Sequence, residues 1–279
     1  MITVMLMGGM GNQLFQWVMG LEHSRRFNTE LVLDTTHLRG KRSYALDQWE
    51  GINERTVTGS QRSVTEQTLP YSQHTVNQIS DGSVLQGYWQ SEKYFTSVQN
   101  DFRHLLVPRD KSFMNMDVFN AIVKEPLSVS VHVRRGDYLV SPHREFHGVL
   151  DMDYYTRSMN LMKNKLTRIE TRRTGLLQEK VTEETVAPKF FVFSDDPEWT
   201  RSNFTGKDIV HVQPSTESID IYLMGMCKNA IVANSSFSWW GAQLAKNDGQ
   251  MVVAPYKWFG KPEDRGNARD IVPERWFRQ

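Results

Sequence analysis

Four segments of the chain repeat one pattern, in which a short apolar run rich in β-branched and aromatic residues precedes a polar or glycine-rich turn and then residues with helical periodicity. The apolar runs span residues 2–7, 129–133, 190–193 and 230–233. Strands that alternate with helices are typical of βα units on a parallel sheet, so the pattern predicts an α/β fold. Because ligands of such folds bind at the carboxyl ends of the strands, we expect the four turns to converge on one crevice.

Two intervening segments lack this pattern. Residues 59–83 are rich in Ser, Thr and Gln and predict loops with short elements, whereas residues 163–186 carry dense alternating charge around Gly175 and predict a solvated helix or a surface excursion. A chain of 279 residues with 39% hydrophobic content is long enough for two domains of ordinary size.

The turn after the second run reads Arg134-Arg135-Gly136-Asp137. Alternate valines in the run predict a buried strand, so both guanidinium groups are expected at a fixed strand end, where their planar forks of donors match phosphate oxygens. The alternative is a solvated arginine pair or a surface salt bridge with Asp137. The buried strand and the nearby His132 favour the phosphate site.

The first turn, GGMGNQ at residues 8–13, lets the backbone approach a ligand at a helix N-terminus, where N–H groups and the helix dipole favour an anion. Leu14 occupies the third glycine position of the dinucleotide-binding pattern, and no P-loop sequence occurs in the chain. A tight strand-to-helix turn explains the glycines but gives Asn12 and Gln13 no role. These two residues are therefore candidate ligand contacts.

Small polar side chains cluster in the fourth turn, where Asn234, Ser235, Ser236 and Ser238 precede or open a helix. A helix N-cap needs one such residue, so the set predicts a second site for phosphate oxygens. The two tryptophans that come next cannot both face one ligand and are assigned to the core.

Acidic side chains offer further candidates. Asp195 and Asp196 come directly after the third run, and they either cap the next helix or accept the N–H donors of a guanine base; both interpretations stay open. Asp151 and Asp153 match the D-x-D pattern of some sugar-nucleotide enzymes, but they precede a predicted helix and are better explained as first-turn acidic residues. No spacing of Cys and His indicates zinc, so no metal site is predicted.

Composition narrows the class of protein. Thirty-three basic and 32 acidic residues leave a formal net charge of +1, which argues against a general nucleic-acid binder. The single cysteine, Cys227, excludes an internal disulfide and is predicted to be buried. The apolar N-terminal run has no basic region before it and is too short to span a membrane, so a cytoplasmic protein is expected.

The motifs GGMGNQLFQ at 8–16, HVRRGDY at 132–138, FSDD at 193–196 and NSSFSWWGA at 234–242 resemble, in this order, those of bacterial α-1,2-fucosyltransferases of glycosyltransferase family eleven. The resemblance covers most of the chain. It implies a GT-B type fold of two facing Rossmann-like domains with parallel sheets. We place an acceptor-side domain at residues 1–122 and a GDP-fucose-binding domain at residues 123–279, whose C-terminal tail is able to pack back on the first.

The same resemblance implies GDP-β-L-fucose as donor, a galactoside or lipid-linked glycan as acceptor, inversion at the anomeric carbon, and no metal or other cofactor. It also implies a role in O-antigen and lipopolysaccharide synthesis, with peripheral association at the inner membrane. By similarity, the histidine and the arginines would hold the diphosphate, one aspartate the guanine base and the serines the phosphates, while Asn12 would lie near fucose. The candidate donor contacts are Asn12, Gln13, His132, Arg134, Arg135, Asp195, Asp196, Asn234, Ser235, Ser236 and Ser238.

Inversion calls for a group that takes the proton of the acceptor hydroxyl. Glu145 and His147 lie just past the arginine turn and are equal candidates. Asp137 is a weaker one, because pairing with the arginines would lower its pKa. The candidate catalytic set is Arg134, Arg135, Asp137, Glu145 and His147.

Functions of other classes remain as alternatives. A non-catalytic saccharide-binding module would use the eight tryptophans but gives the arginines no role. A dinucleotide-dependent oxidoreductase would need the complete glycine pattern and a ribose-binding acid. Among enzymes, the nearest alternative is a fucosyltransferase of another linkage.

Overall fold

A computed structural model describes residues 1–141, 143–174, 180–245, 249–260 and 268–279. In chain order, the elements of the first half are β1 Ile2–Met5, α1 Met10–Arg26, β2 Leu31–Asp34, β3 Arg55–Val57, β4 Val64–Thr65, α2 Gln73–Asn77, β5 Val84–Gln86 and α3 Gln99–Leu105. The strands form one parallel sheet in the order β3-β2-β1-β5-β4.

The second half forms another parallel sheet and a hairpin. Its elements are α4 Asp117–Lys124, β6 Ser128–Val133, α5 His143–His147, α6 Met152–Leu166, β7 Arg168–Thr174, β8 Lys180–Val186, β9 Lys189–Ser194, α7 Pro197–Asn203, β10 Ile209–His211, α8 Glu217–Met226, β11 Asn229–Ile231, α9 Ser236–Leu244, β12 Val252–Ala254 and β13 Phe277–Arg278. The sheet order is β10-β9-β6-β11-β12-β13, and β7 pairs with β8 in the antiparallel sense.

The α/β fold with two parallel sheets, predicted as the GT-B type, is confirmed. Each of the four apolar runs forms a strand, namely β1, β6, β9 and β11. Within residues 163–186 the structure shows the end of α6 and the β7–β8 hairpin, so the surface excursion is the correct alternative and the solvated helix is wrong beyond Leu166. The many Ile, Thr and Val residues of this segment favour strands. Gly175 lies outside the described residues.

Alternation along β6 separates two core clusters. Val129, Val131 and Val133 point to one side of the sheet and pack in a cluster with Tyr155 and Met162 of α6. The other cluster combines residues of both halves of the chain. β6 is therefore buried on both faces, as a central strand of a parallel sheet should be.

The helices α1 and α9 join the two halves. The ring centroid of Phe15 lies 4.4 Å and 5.0 Å from those of Trp239 and Trp240, and both tryptophans are fully buried, which confirms their assignment to the core. A Cβ atom on Gly11 would lie 2.6 Å from the backbone carbon of Ser236. Only glycine allows the first turns of α1 and α9 to approach so closely.

Strand order reverses once in each sheet. In the first sheet it reverses between β1 and β5, and in the second between β6 and β11. Such switch points open a crevice at the carboxyl ends of the strands, where α/β proteins bind their ligands. The contact between α1 and α9 brings the two switch points together.

The predicted domain boundary between residues 122 and 123 falls inside α4, which packs on α8, and it stays a prediction. The described C-terminal segment contacts the first half of the chain, because Asp270 pairs with Lys93 at 2.6 Å and Arg275 pairs with Glu92 at 2.6 Å. None of the described helices combines the length and the apolar composition that crossing a membrane requires.

Candidate active site

A cleft of about 390 Å³ lies between the carboxyl ends of the two sheets. Its first wall is formed by the turn that opens α1 and by Arg42, Leu69, Tyr88 and Gln90. Its second wall comes from the turns after β6 and β11, together with the N-terminus of α8. The predicted convergence holds for the turns after β1, β6 and β11, whereas no residue of the turn after β9 lines the cleft.

Arg134 reaches the cleft as predicted. Its Nη2 donates to Asp137 Oδ1 at 2.8 Å, and its Nη1 lies 3.1 Å from Asp195 Oδ2. The guanidinium carbon lies 5.5 Å from the ring centroid of Tyr138. Two carboxylates and an aromatic ring therefore hold the planar fork of donors in one orientation beside the cleft.

Arg135 does not line the cleft, although both arginines were expected to face it. Its Nε donates to Asp196 Oδ2 at 3.0 Å, and its guanidinium carbon stacks 4.0 Å above the ring centroid of Trp199. Consecutive residues at a strand end point to opposite sides, so adjacent arginines separate. Arg135 instead ties the second sheet to α7.

Arg42 is a further cleft residue that was not among the candidates predicted from the sequence. Its Nη2 donates to Asp137 Oδ2 at 3.1 Å, and this contact crosses the cleft from the first wall to the second. Partial burial alone would raise the pKa of Asp137, but Arg134 and Arg42 outweigh it and hold that pKa below its usual value. The basic run RGKR at residues 39–42, soon after β2, was the available sequence signal.

The fourth turn supplies the N-terminus of α9. Ser235 is its N-cap, and its Oγ accepts from the N–H of Phe237 at 3.3 Å. Ser235 and Ser236 line the cleft, as does Asn234, whose Nδ2 donates to the carbonyl oxygen of His147 at 2.8 Å. The open first turn of α9 therefore faces the cleft beside Arg134.

Ser238 lies outside the cleft, contrary to its assignment as a donor contact. Its hydroxyl accepts from the N–H of Ala233 at 3.1 Å and is buried. The position is three residues past the N-cap, so the side chain turns back toward the end of β11 instead of facing the ligand space. It fixes the angle between strand and helix.

The adjacent side chains of Asn12 and Gln13 also point to different places, one to the cleft and one to the core. Asn12 lines the cleft, and its Oδ1 accepts from Gln90 Nε2 at 2.7 Å. Gln13 is fully buried; its amide donates to the carbonyl oxygen of Ser43 at 2.9 Å and accepts from the N–H of Ala45 at 3.0 Å. Gln13 therefore does not line the cleft, and its hydrogen bonds brace the loop that carries Arg42.

His132 is buried beneath the cleft, only 4% exposed, and does not line it. Its ring centroid lies 5.4 Å from that of Phe237. Burial, with a smaller effect of Arg134, lowers the pKa of His132 to about 3, so the ring is neutral at pH 7. His132 therefore does not reach the space in which a diphosphate was expected to contact it.

The acidic pair after β9 is already engaged. Asp195 accepts the N–H of Arg135 at 2.8 Å besides pairing with Arg134. Asp196 caps α7, where its Oδ1 accepts from the N–H of Trp199 at 3.1 Å. The helix-cap interpretation is correct for Asp196, and neither carboxylate presents an oxygen without a protein partner to a guanine base.

The D-x-D pattern is also explained by helix structure. Asp151 caps α6 by accepting the N–H of Tyr154 at 3.0 Å, and Asp153 pairs with Arg157 along the helix. Within the described ranges, no group of three or more His, Cys, Asp or Glu side chains is arranged to hold a metal ion.

The two candidate bases of α5 differ in position. The ring of His147 lines the cleft and stacks on Tyr138, with centroids 4.3 Å apart and planes within 4°. Glu145 is exposed, accepts from Ser141 Oγ at 3.2 Å and does not line the cleft. Of the two candidates, only His147 lines the cleft.

Glu217, the first residue of α8, is a further carboxylate of the cleft. Partial burial raises its pKa, while Arg134 and Arg42 act against that rise. An acidic residue at a helix start is common, so the sequence held no signal for it. Two arginines thus share the cleft with the carboxylates of Asp137 and Glu217.

The chain is similar to known glycosyltransferases. A profile of the family described as Glycosyl transferase family 11 matches residues 62–170 and 177–277. An α-1,2-colitosyltransferase of Escherichia coli is 30% identical and aligns over 99% of this chain and 98% of its own. The O-antigen biosynthesis glycosyltransferase WbnK of Escherichia coli is 29% identical over 98% of each chain. Among solved structures, the α-1,6-fucosyltransferase NodZ soaked with GDP-fucose gives a TM-score of 0.49 at 14% identity, covering 87% of this chain and 92% of that one.

Proposed function

We propose that this chain, which belongs to glycosyl transferase family 11, transfers L-fucose from GDP-β-L-fucose to the 2-hydroxyl of a β-galactoside, with inversion and without a metal ion. The observation that carries the proposal is the placement of Arg134 beside the N-terminus of α9, in a cleft between two parallel sheets. The name of WbnK supports a role in O-antigen synthesis. Action in the cytoplasm at the inner membrane is part of the same proposal.

The side-chain charges of the cleft do not by themselves favour a diphosphate, so the proposed site also needs helix N-termini. Two carboxylates, those of Asp137 and Glu217, line the cleft together with the two guanidinium groups of Arg134 and Arg42. Asp195 also pairs with Arg134 from outside the cleft, so side chains alone do not make the site positive. The N-termini of α1 and α9 add backbone N–H groups and the positive ends of two helix dipoles. A diphosphate bound there would compete with Asp137 for Arg42.

The proposed reaction develops negative charge on the diphosphate, beside Arg134 and these helix N-termini. As the acceptor oxygen forms a bond to the anomeric carbon, the bond from that carbon to the diphosphate oxygen breaks, and GDP leaves with the electron pair. Donors fixed in advance around the leaving oxygen stabilise this charge more than mobile water does. Arg134 and the first turn of α9 are those donors in the proposed mechanism.

His147 takes the proton of the attacking hydroxyl in this proposal. A neutral imidazole nitrogen is a suitable acceptor near pH 7, and stacking on Tyr138 fixes the ring at the cleft wall. Asp137 is the poorer base, because Arg134 and Arg42 hold its pKa low.

The test is incubation of the full chain with GDP-fucose and a panel of β-galactosides, with and without EDTA. GDP release is measured, and the new linkage is identified by NMR. We expect GDP release that depends on the acceptor, an α-1,2 product, and no loss in EDTA. A different linkage would correct the regiochemistry, and loss in EDTA that added metal restores would contradict metal independence. No GDP-fucose binding and no product across the panel would overturn the proposal.

A second donor is favoured by one observation, the similarity to an α-1,2-colitosyltransferase along nearly the whole chain. Colitose is fucose without the 3-hydroxyl group. The same assay should therefore include GDP-colitose, and a much higher kcat/KM with this donor would identify it as the natural one. A site that forms hydrogen bonds to the 3-hydroxyl would strongly prefer fucose.

A further inference from the structure

A second groove opens at the switch point of the first sheet. It has a volume of about 250 Å³ and lies where β1, β5 and β4 end. Leu69 and Tyr88 line both the groove and the cleft, so the two spaces lie next to each other. The polar side chains of its lining are those of Thr65, Glu66, Gln67, Thr68 and Gln86.

One carboxylate shapes this groove. Glu66 Oε2 accepts from the N–H of Tyr88 at 2.7 Å, and its Oε1 accepts from the N–H of Trp89 at 3.1 Å. A Cβ atom on Gly87 would lie 2.5 Å from the Cβ of Glu66, and Trp89 has a φ of 55°. Glu66 therefore holds the turn after β5 in a backbone shape that a non-glycine residue rarely adopts.

The shape of this turn determines which side chains face the ligand space. Trp89 points inward and is fully buried, whereas the ring of Tyr88 is 39% exposed at the junction of groove and cleft. One residue further on, Gln90 holds Asn12 at the cleft. The turn thus links the groove to the first wall of the cleft.

We propose that this groove binds the second sugar of the acceptor, the residue to which the accepting galactose is attached. An exposed aromatic ring beside amide and hydroxyl side chains suits a sugar, whose faces are apolar and whose edges form hydrogen bonds. The inference rests on the proposed function. Donor contacts lie at the switch point of the second sheet, so the acceptor occupies that of the first.

Acceptors of two lengths distinguish a loss of binding in the groove from a general loss of activity. The variants are Gln67→Ala and Gln86→Ala, which remove amide groups of the groove without touching the cleft. Gln61→Ala is the matched control, because Gln61 is an exposed glutamine of the same region outside the groove. Each is assayed with methyl β-galactoside and with a disaccharide that ends in β-galactose.

We expect kcat/KM for the disaccharide to fall about fivefold in a groove variant, mainly through KM, since a lost hydrogen bond costs about 1 kcal/mol. Turnover of methyl β-galactoside and the affinity for GDP should stay within about twofold of wild type. Gln61→Ala should match wild type with both acceptors. Equal losses with both acceptors, or no loss with either, would overturn the assignment.

Binding can be tested separately from turnover. Saturation-transfer NMR of the disaccharide with the full chain should show contact at both sugars, and the signal of the second sugar should weaken in Gln67→Ala. This result is expected even if GDP-fucose proves not to be the donor, so the two proposals can fail independently. Contact at the galactose alone in wild type would also contradict the groove assignment.

Discussion

The two sheets end in turns of unlike chemistry, although both turns stand at a switch point and face one cleft. The second sheet presents charge, and Asp137 there is held ionised by Arg134 and Arg42. The first sheet presents amides and an aromatic ring, and burial raises the pKa of its carboxyl, Glu66, to about 7. The charged side, at the second sheet, fits the proposed diphosphate. The turn after β5, which is the uncharged side as long as Glu66 is protonated, fits the proposed sugar.

The largest expected effect concerns the charged side. Arg134→Lys should lower kcat by about 10²–10³ at saturating donor, because a point charge cannot replace the planar fork. Arg135→Lys is the matched control one residue away; it should cost less than about tenfold, since Arg135 faces Asp196 and Trp199. Steady-state kinetics on both variants decides the matter, and equal losses would mean that both arginines reach the donor.

A second test concerns proton removal. His147→Gln should lower kcat by about 10²-fold and remove the acid limb of the pH–rate profile, because general-base catalysis is typically worth at least that much. Glu217→Gln is the comparison, as a second titratable group of the cleft. If the acid limb survives in His147→Gln and disappears in Glu217→Gln, the proton passes to the carboxylate.

These charged positions also show how far the sequence could lead. Alternate valines identified β6 as a buried strand, and the end of a buried strand has a fixed place in the sheet, so Arg134 was assigned to the cleft correctly. The direction of Arg135 depends on the packing of Trp199, which spacing alone does not reveal. Arg42 and Glu217 reach the cleft only through the contact of the two halves, and no local pattern encodes that contact.

The uncharged side was harder to predict for a different reason. β4 and β5 have two and three residues, too few to show a hydrophobic period, and they lie in or beside a segment predicted as loops with short elements. The groove arises because Glu66 turns inward to bind the backbone of the opposite turn. That contact joins residues 22 positions apart.

A substitution at the contact between α1 and α9, where the two sides meet, should have an intermediate effect on stability. In Gly11→Ala the new methyl group would meet the backbone of Ser236 and Phe237 at 2.6–2.7 Å. Backbone cannot move aside as a flexible side chain does, so we expect a loss of about 1–3 kcal/mol in the free energy of unfolding. Chemical denaturation measures it, and Gly9→Ala is the control, because nothing lies within 4 Å of a Cβ there. Equal stability of the two variants would contradict the close contact of α1 and α9.

The smallest expected effect is a pH dependence of stability that distinguishes Glu66 from the ionised Asp137. Burial raises the pKa of Glu66 from 4.5 to about 7, so folding favours its protonated form. This contribution to stability is complete below the unfolded pKa and is lost as the pH rises through the folded one. Glu66→Gln keeps an acceptor oxygen and cannot ionise, so its melting temperature should exceed that of wild type by a few degrees more at pH 8.5 than at pH 5.5, for an effect of about 1 kcal/mol. Glu30→Gln is the matched control, because it makes the same substitution at an exposed carboxylate. If the difference between Glu66→Gln and wild type is the same at both values of pH, then Glu66 titrates as an ordinary surface carboxylate, and the uncharged character of the first sheet's turn is lost near neutrality.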